Sequence, residues 1–311
     1  MADEAQFITI CGTSDEAGRT LVARVDQGAY RRELGRDPLG AQLMSLTFDG
    51  REYLWQGDER WWPRRAPVLF PIVGSLRPGT VSAEGPLSMG RHGVARTREF
   101  CVVDVREHAV TLELRSDEET RAAFPYAFCL HITYTIEGAS TLRQTFEVLN
   151  TGGAVLPFTL GGHPAFNVPL CEGERFEDYE LRFAKPWTAS SPTMVDGGLW
   201  DFSHRVPVLN SADHLLLNHR LFDVDTLLLE GVPASCVELA GPQGHGVRVA
   251  FEGFPYLGLW SATGDAPFVA IEPWCGCSTA LDEGVRFEDK RAMTLLAPGY
   301  IEASSFTIEV F

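Results

Sequence analysis

Four segments of this 311-residue chain contain side chains that can transfer protons or bind polar ligands. The segments are WWPRRAPVLFPIVG at 61–74, RHGVAR at 91–96, LGGHPAFN at 160–167 and FVAIEPW at 268–274. In the last of them, a period of two places Glu272 on the same strand face as Phe268 and Ala270. A carboxylate on an apolar face costs free energy unless it is paired or used, so Glu272 is a candidate catalytic group. A buried salt bridge to Arg64 or Arg65 is its alternative role.

Two histidines and two tryptophans in these segments suit a sugar ligand. His163 follows paired glycines, which leave bare backbone beside its imidazole, and His92 lies in a loop between two arginines. Indole rings such as those of Trp62 and Trp274 can stack on the C–H faces of a sugar while polar groups bind its hydroxyls. We therefore predict a small-molecule sugar as the partner. The alternative roles are structural, with the tryptophans in the core and the histidines in turns.

The elements that position these segments are predicted to be β-strands, because apolar and polar residues alternate through much of the chain. The clearest alternation occurs at 110–115, 126–136, 179–183, 247–252 and 306–310. Three prolines exclude 61–74 from a central strand, and a short helix is predicted over about residues 116–123. We expect an all-β fold, a large sandwich of two antiparallel sheets, with residues 1–311 as a single domain.

The composition restricts the partners. The chain has 26 Lys+Arg against 42 Asp+Glu and a formal net charge of −16. Such a charge repels phosphate backbones and anionic lipid, so we expect neither a nucleic-acid partner nor a membrane partner. The longest apolar run, 66–74, is too short to span a bilayer. The first twelve residues lack the features of a signal peptide, so a cytoplasmic location is predicted, and the oligomeric state is left open.

Cysteine and charge patterns indicate no metal site. The seven cysteines are odd in number and scattered, and only Cys275 and Cys277 are close in sequence, with no second pair at zinc-site spacing. We therefore expect no metal and no cofactor. His131 falls on the polar side of a predicted strand, and His245 in a polar turn has no assigned role. The charged residues from Glu283 to Lys290 are predicted to form a solvated turn.

Short strings spread over nearly the whole chain resemble the aldose 1-epimerase (galactose mutarotase-like) superfamily, and most closely its LacX-type branch. The strings are GAQL at 40–43, LWQGD at 54–58, APVLFPIVG at 66–74, GGHPAFN at 161–167, LWS at 259–261, IEPW at 271–274 and LAPG at 296–299. APVLFPIVG and GGHPAFN together carry most of the specificity. The resemblance implies a β-supersandwich and the interconversion of sugar anomers without metal or organic cofactor.

The resemblance also implies a role for individual residues. Glu272 looks like the general base that takes the proton from the anomeric hydroxyl, and His163 like the general acid that protonates the ring oxygen. His92 resembles a second, hydrogen-bonding histidine. Arg64 resembles a substrate-orienting arginine, and Asp225 an acidic residue that holds sugar hydroxyls. A carboxylate with a pKa near 4 and an imidazolium near 6.5 would each contribute about 10²–10⁴-fold to the rate.

Departures from the branch concern the substrate more than the reaction. Val94, Ser75 and Thr279 stand where the branch often has phenylalanine, arginine and aspartate. These changes leave open which sugar, or which substituent on it, the site accepts. The alignment of Asp225 is also open, because Asp223 lies two residues before it.

The main hypothesis is therefore an aldose 1-epimerase that interconverts the α and β anomers of a hexose. One alternative is a hexose-6-phosphate 1-epimerase, which needs basic side chains to hold the phosphate. The candidates for that role are Arg64, Arg65, Arg77, Arg91 and Arg96. The sequence is also compatible with a non-catalytic sugar-binding protein of the same fold, and with a glycoside hydrolase that uses Glu272 and Asp225, about 5–9.5 Å apart.

Overall fold

Strands dominate the computed structural model, which describes residues 7–26 and 40–311. The start of the N-terminal segment, residues 1–6, lies outside the described residues. In chain order the strands are β1 (Ile8–Cys11), β2 (Leu21–Asp26), β3 (Gln42–Phe48), β4 (Arg51–Glu52), β5 (Val68–Leu69), β6 (Val81–Ser82), β7 (Gly85–Pro86), β8 (Cys101–Arg106), β9 (Ala109–Arg115), β10 (Phe128–Glu137), β11 (Thr141–Asn150), β12 (Leu156–Phe158), β13 (Leu160–Gly162), β14 (Ala165–Asn167), β15 (Glu180–Val195), β16 (Leu199–Leu216), β17 (Leu227–Glu230), β18 (Cys236–Ala240), β19 (Gly246–Ala250), β20 (Tyr256–Trp260), β21 (Phe268–Cys275), β22 (Thr294–Leu296) and β23 (Ile301–Val310).

Helical structure is sparse in the same ranges. One α-helix, α1, spans Glu118–Ala123, and short 3₁₀ turns span Ala95–Thr97, Phe176–Asp178, His219–Phe222, Pro233–Ser235 and Phe287–Asp289. The predicted helix is present, but its N-cap is Asp117, whose carboxylate accepts the Thr120 amide. Ser116 instead accepts the amide of Phe128. No helix in this part of the chain has the length and apolar character that crossing a bilayer requires.

Two large antiparallel sheets form the body of the molecule. The nine-stranded sheet has the order β16-β15-β18-β19-β23-β11-β10-β9-β8. The six-stranded sheet has the order β17-β20-β21-β13-β5, with β14 also paired to β21. A four-stranded sheet, β1-β2-β3-β4, adds a further layer. Side chains such as Ile132 and Ile308 from the first sheet share one apolar core with Leu259 and Ile271 from the second, which confirms the predicted all-β sandwich.

The proline-rich segment 61–74 is mostly irregular, as predicted, but it contributes one short strand. β5 consists of Val68 and Leu69, and it pairs with β13 at the edge of the six-stranded sheet. Pro67 and Pro71 flank it, and an edge position tolerates prolines because one side of the strand needs no ladder hydrogen bonds. The segment therefore borders the sheet beside the GGH sequence.

A long hairpin extends the nine-stranded sheet. Its strands β15 and β16 are 16 and 18 residues long, and their register shifts several times. Near its tip, Trp200 is fully buried and exchanges backbone hydrogen bonds with Thr279 and Leu281. The hairpin tip is thus fixed to the segment that follows β21.

The prediction of a solvated charged turn between Glu283 and Lys290 is wrong for its two end residues, whereas Arg286 and Asp289 within it are exposed. Lys290 Nζ lies 3.2 Å from Glu283 Oε2 and donates to Thr279 Oγ1 at 2.9 Å, and the two charged side chains are only 2% and 8% exposed. The Glu283 carboxylate also accepts the amides of Ala280 and Arg291. These partners replace the water that both charges lose, so burial of the pair is tolerated.

We predict that Lys290→Met lowers the free energy of unfolding by about 3 kcal/mol, because it removes the nearer and more deeply buried of the two cations beside the Glu283 carboxylate, the other being Arg291 at 3.7 Å. The matched control is Lys185→Met, at the only other lysine, which is exposed and should change the stability by less than about 0.5 kcal/mol. Urea unfolding of both variants measures the difference. Equal stability of the two variants would contradict the structural importance of this ion pair.

Candidate functional site

A cavity of about 220 Å³ lies at the six-stranded sheet and contains most of the residues singled out from the sequence. It is lined by Trp62, Gly74, Arg91, His92, Arg96, His163, Met194, Asp225, Thr226, Trp260, Glu272, Trp274 and Ser278. Members of all four chemically rich segments therefore meet in one place. Arg64 is not part of this lining.

An interruption in strand pairing brings Glu272 and His163 together. β13 pairs with β21 at Trp274 and Cys275, whereas β14 pairs with it from Phe268 to Ala270. Between these two ladders, His163 and Pro164 belong to neither strand, although the Pro164 carbonyl still accepts the Ile271 amide of β21 at 3.0 Å. The resulting distance between His163 Nε2 and Glu272 Oε2 is 3.3 Å.

The two glycines before His163 are required by packing. A Cβ on Gly161 would lie 2.8 Å from the Trp274 ring, and one on Gly162 would lie 2.5 Å from the Phe306 ring. Any larger residue would push the backbone away from these side chains. The GG pair therefore lets β13 lie close to both the cavity floor and the core.

Burial shifts the pKa values of Glu272 and His163 in the directions that favour their neutral forms. Glu272 is 1% exposed, and loss of hydration raises its pKa well above the ordinary value, with Asp225 adding to the rise. The Trp274 indole and Arg91 act in the opposite direction. Burial also lowers the pKa of His163 to about 3, assisted by the positive charge of Arg96. The ordinary values assumed from the sequence do not include this desolvation, which favours a neutral pair.

Aromatic rings hold the His163 imidazole in place. Trp62 stacks on it with ring centroids 4.7 Å apart and an interplanar angle of 21°, and Trp260 contacts it edge-on at 5.7 Å. One face of Trp62 is therefore occupied by the histidine. Within the described residues, His163 Nδ1, Glu272 Oε2 and Trp274 Nε1 are buried without a hydrogen-bond partner. Unsatisfied polar atoms grouped around a cavity are typical of a site that binds a polar ligand.

His92 is fixed as a neutral hydrogen-bond donor. Its Nδ1 accepts the Gly74 amide at 3.1 Å, and its own amide donates to the Gly74 carbonyl at 2.8 Å. Because an amide only donates, Nδ1 is unprotonated, and the neutral ring carries its proton on Nε2. Burial, followed by the charge effect of His163, lowers the pKa of His92 well below the ordinary value. These two bonds also hold His92 at a φ of 67°, which is unfavourable for a residue with a side chain.

Position 74 requires glycine because of its backbone conformation and the lack of space for a side chain. Its φ is +75°, and a Cβ there would lie 2.0 Å from Ser278 Oγ. Ser278 in turn accepts the Ser75 amide, and the Thr279 amide donates to the Ser75 carbonyl. The loop that holds His92 is thereby joined to the segment that contains the Lys290–Glu283 ion pair.

Arginines make one wall of the cavity positive. Arg91 Nε donates to Ser75 Oγ at 3.2 Å, and its guanidinium lies against Gly198 at the hairpin tip. The Arg96 guanidinium makes no hydrogen bond or ion pair with residues 7–26 or 40–311. Burial and the charges of Arg64 and Arg91 lower the pKa of Arg96 to about 10.

The other arginines named from the sequence bind backbone carbonyls. Arg64 Nη1 donates to the Arg96 carbonyl, Arg65 donates to Gln56 and Met44, and Arg77 donates to Ala280 and Leu281. Arg64 is still close enough to lower the pKa of His92 and His163 by its charge. Arg64 thus lies near the cavity without lining it and is bonded to the backbone of Arg96.

Only one of the two candidate aspartates lines the cavity. Asp225 lines it and accepts the Thr226 hydroxyl at 2.9 Å, whereas Asp223 is exposed and borders, together with Asp225, a neighbouring depression. Trp274 lines the cavity and also packs in a small core cluster with Trp200 and Tyr256. Its two proposed roles, in the cavity and in the core, are thus compatible.

Sequence reasoning missed several lining residues. Trp260, Thr226 and Met194 belong to strings or hairpins that carry no distinctive chemistry in the sequence. Trp260 immediately precedes Ser261 in the quoted LWS string, which is the one indication that the sequence offers. Met194 reaches the cavity through the hairpin register, which residue spacing does not reveal.

Comparison with known proteins identifies the family. The sequence pattern of the aldose 1-epimerase family matches residues 37–302. Protein LacX, plasmid, from Lactococcus lactis subsp. lactis is 40% identical over 282 residues, which cover 88% of this chain and 94% of that protein. A galactose mutarotase related enzyme from Lactobacillus acidophilus has a TM-score of 0.87 at 27% identity and covers 98% of this chain and 97% of that one.

A second solved structure agrees with the first. A galactose mutarotase-like protein from Lactobacillus casei ATCC 334 has a TM-score of 0.83 at 28% identity, covering 98% of this chain and all of that one. The match to the family pattern spans most of the chain, and the LacX relative exceeds 30% identity over most of its length. The chain therefore belongs to the aldose 1-epimerase family, in the LacX branch.

Proposed function

We propose that the protein is an isomerase, an aldose 1-epimerase that interconverts the α and β anomers of a hexose. The observation that carries this proposal is the contact between a buried carboxyl and a buried imidazole, Glu272 and His163, in a cavity lined by indole rings. Ring opening of a hemiacetal requires removal of the anomeric proton and protonation of the ring oxygen. A mere binding site has no evident need for an acid–base pair, which argues against a non-catalytic role.

In this mechanism the pair shares one titratable proton. With a cyclic sugar bound, Glu272 as carboxylate takes the O1 proton while His163 as imidazolium gives its proton to the ring oxygen. Ring opening thus yields a neutral carboxylic acid and a neutral imidazole beside the aldehyde. After rotation about C1–C2, the acid returns a proton to O1 and the imidazole takes one from the ring-closing hydroxyl. Protons balance over the cycle, and no electron leaves the sugar.

Desolvation supports this cycle because it favours the neutral pair that ring opening produces. The neutral and charged pairs contain the same number of protons, so each converts into the other by transfer within the contacting groups. Stabilising the neutral pair lowers the free energy of the open-chain state relative to the cyclic state. The charged pair forms when a sugar is bound, because the sugar hydroxyls then take the place of water around the two groups.

We assign supporting roles to five other residues. His92 donates its Nε2 proton to a ring or hydroxyl oxygen of the sugar and does not transfer it. Asp225 accepts from sugar hydroxyls, and the parts of Trp62 and Trp274 that line the cavity cover the C–H surface. Arg64 acts through Arg96 and does not touch the sugar.

A second candidate, epimerisation of a phosphorylated hexose, is favoured by the arginine wall. Arg91 and Arg96 line the cavity, and the Arg96 guanidinium has no anionic partner among the described residues. Guanidinium groups bind phosphate oxygens through paired hydrogen bonds, which would suit a sugar phosphate. The acid–base chemistry at Glu272 and His163 is the same for both candidates.

We predict that Glu272→Gln lowers kcat for glucose or galactose anomer exchange at least about 10²-fold, because the amide cannot take a proton. Polarimetry or NMR exchange, corrected for spontaneous mutarotation, measures the rate. Glu302→Gln, at an exposed position on β23, is the matched control and should keep the wild-type rate. A folded Glu272→Gln protein with full activity would disprove the assignment.

The acid side of the pH profile provides an independent test. Activity requires that the pair hold one proton, and a second proton binds only when His163 is protonated at a pKa of about 3. We therefore expect kcat/KM to fall only at a pH below the ordinary carboxyl value of 4.5. Kinetics from pH 3 to 6, with circular dichroism at each pH, measure it. A midpoint at or above 4.5 in folded protein would contradict the shared-proton mechanism.

The second candidate predicts that wild-type kcat/KM is higher with glucose 6-phosphate than with glucose. Arg96→Met should then lower this preference at least about tenfold, because a charge-assisted phosphate contact is lost. Arg98→Met is the control, since Arg98 pairs with Glu119 and does not line the cavity. If Arg96→Met lowers both activities equally, the neutral hexose is the better assignment.

A further inference from the structure

A second cluster of reactive side chains lies on the outer face of the nine-stranded sheet, away from every residue that lines the cavity. Glu113 on β9 stands directly opposite His131 on β10, and Cys129 precedes His131 by two residues on the same face. Their ligand atoms converge. His131 Nε2 lies 2.9 Å from Glu113 Oε2, and Cys129 Sγ lies 3.3 Å from that oxygen and 3.6 Å from that nitrogen.

These three separations resemble the edges of a tetrahedral zinc site. With metal–ligand bonds of about 2.0–2.3 Å, neighbouring nitrogen, oxygen and sulfur ligands lie about 3.3–3.6 Å apart. Of the three separations, only the one between Glu113 and His131 is shorter than this range, so it must lengthen when the ion binds. Imidazole and thiolate are ligands that zinc prefers, and a carboxylate is common beside them.

The far side of the histidine is arranged as in metal sites. His131 Nδ1 lies 3.2 Å from Glu147 Oε1, and Glu147 stands opposite His131 on β11. The Glu147 carboxylate accepts a proton from Nδ1 in a hydrogen bond, so the ring proton stays on Nδ1. The lone pair of the neutral ring then lies on Nε2, toward Glu113 and Cys129. The cluster thus has an orienting group in addition to three ligands.

The charges of the cluster suit a divalent cation. Glu113 and Glu147 are negative, the Cys129 thiol becomes a third negative group when it gives up its proton to bind a metal, and Arg115, through Glu113, is the single cation bound to them among the described residues. Two negative charges are left for one divalent ion to neutralise. Arg115 binds both oxygens of Glu113 with an exposed side chain, so it can keep Oε1 while the ion takes Oε2.

A comparable trio elsewhere in the chain is also close together, but its members lie around different nitrogens of the histidine. Cys171 Sγ approaches His245 Nδ1 at 3.9 Å, whereas Glu174 approaches His245 Nε2 at 3.1 Å, where the Tyr179 hydroxyl also lies. An imidazole offers a metal one nitrogen at a time, so ligands on opposite edges of the ring cannot share an ion with it. This trio is therefore a hydrogen-bond network and serves as an internal control.

We propose that Glu113, Cys129 and His131 bind one Zn²⁺ ion, with Glu147 orienting the histidine and water completing the coordination. On binding, the Cys129 thiol releases its proton to solvent and the thiolate forms the metal bond. The ion would link β9 to β10 and stabilise the sheet. The proposal does not depend on the reaction in the cavity, and it revises the expectation that the chain holds no metal.

The test uses untagged full-length protein that has been treated with a chelator, dialysed and titrated with Co²⁺ as a spectroscopic probe. We expect one Co²⁺ per chain, with a thiolate-to-cobalt charge-transfer band in the near ultraviolet. Cys129→Ser should abolish the band, while the control Cys171→Ser should keep it. A band that survives in Cys129→Ser, or that disappears in Cys171→Ser, would overturn the proposal.

Further variants keep the test decisive if Cys129→Ser proves unstable. His131→Ala, at a partly exposed position, should lower the Co²⁺ affinity, and Glu147→Gln should weaken it by about 10–100-fold. Zn²⁺ should raise the Tm of the wild type and leave that of His131→Ala unchanged. Wild-type protein that binds no Co²⁺ and shows no Zn²⁺-dependent Tm would also refute the site.

Discussion

The contact between Glu272 and His163 is the constraint on which the rest of the site depends. Two ionisable groups are held 3.3 Å apart and almost wholly out of water, a placement that costs free energy unless the surroundings compensate for it. The surroundings do so by favouring the neutral forms of both groups and by packing indole rings on the imidazole. The missing ladder between β13 and β14 is what allows this contact in an otherwise continuous sheet.

The sandwich provides the rigidity that this pair requires. β21 is central in its sheet, with β20 on one side and β13 and β14 on the other, so Glu272 cannot move without breaking several ladders. The His92 loop is held by Gly74, and Gly74 is held against Ser278. That segment is anchored by the buried Lys290–Glu283 pair, so a chain of specific contacts runs from the edge of the site into its centre.

The fold class and most of the site could be predicted from the sequence, because strand alternation and short distinctive strings are local properties. What could not be predicted depends on register and burial. The sequence places Lys290 in solvent because Glu283 is seven residues away and Thr279 farther still. The ligand trio with Glu113 on one strand and Cys129 and His131 on the next has no sequence spacing typical of zinc. The pKa shifts of Glu272 and His163 likewise follow from desolvation, which sequence patterns do not report.

The cavity is lined in part by residues of two kinds of element, the six-stranded sheet and the long β15–β16 hairpin. Glu272 lies on β21 and His163 lies between β13 and β14, next to side chains of the core, so substitutions there carry a cost in stability. Met194 reaches the cavity from the hairpin, and Gly198 at the hairpin turn lies against the Arg91 guanidinium. Substitutions at the hairpin tip can therefore alter the wall of the cavity without changing Glu272 or His163. If the proposed function holds, the choice of sugar can therefore change by substitution in the hairpin while the Glu272–His163 pair is retained.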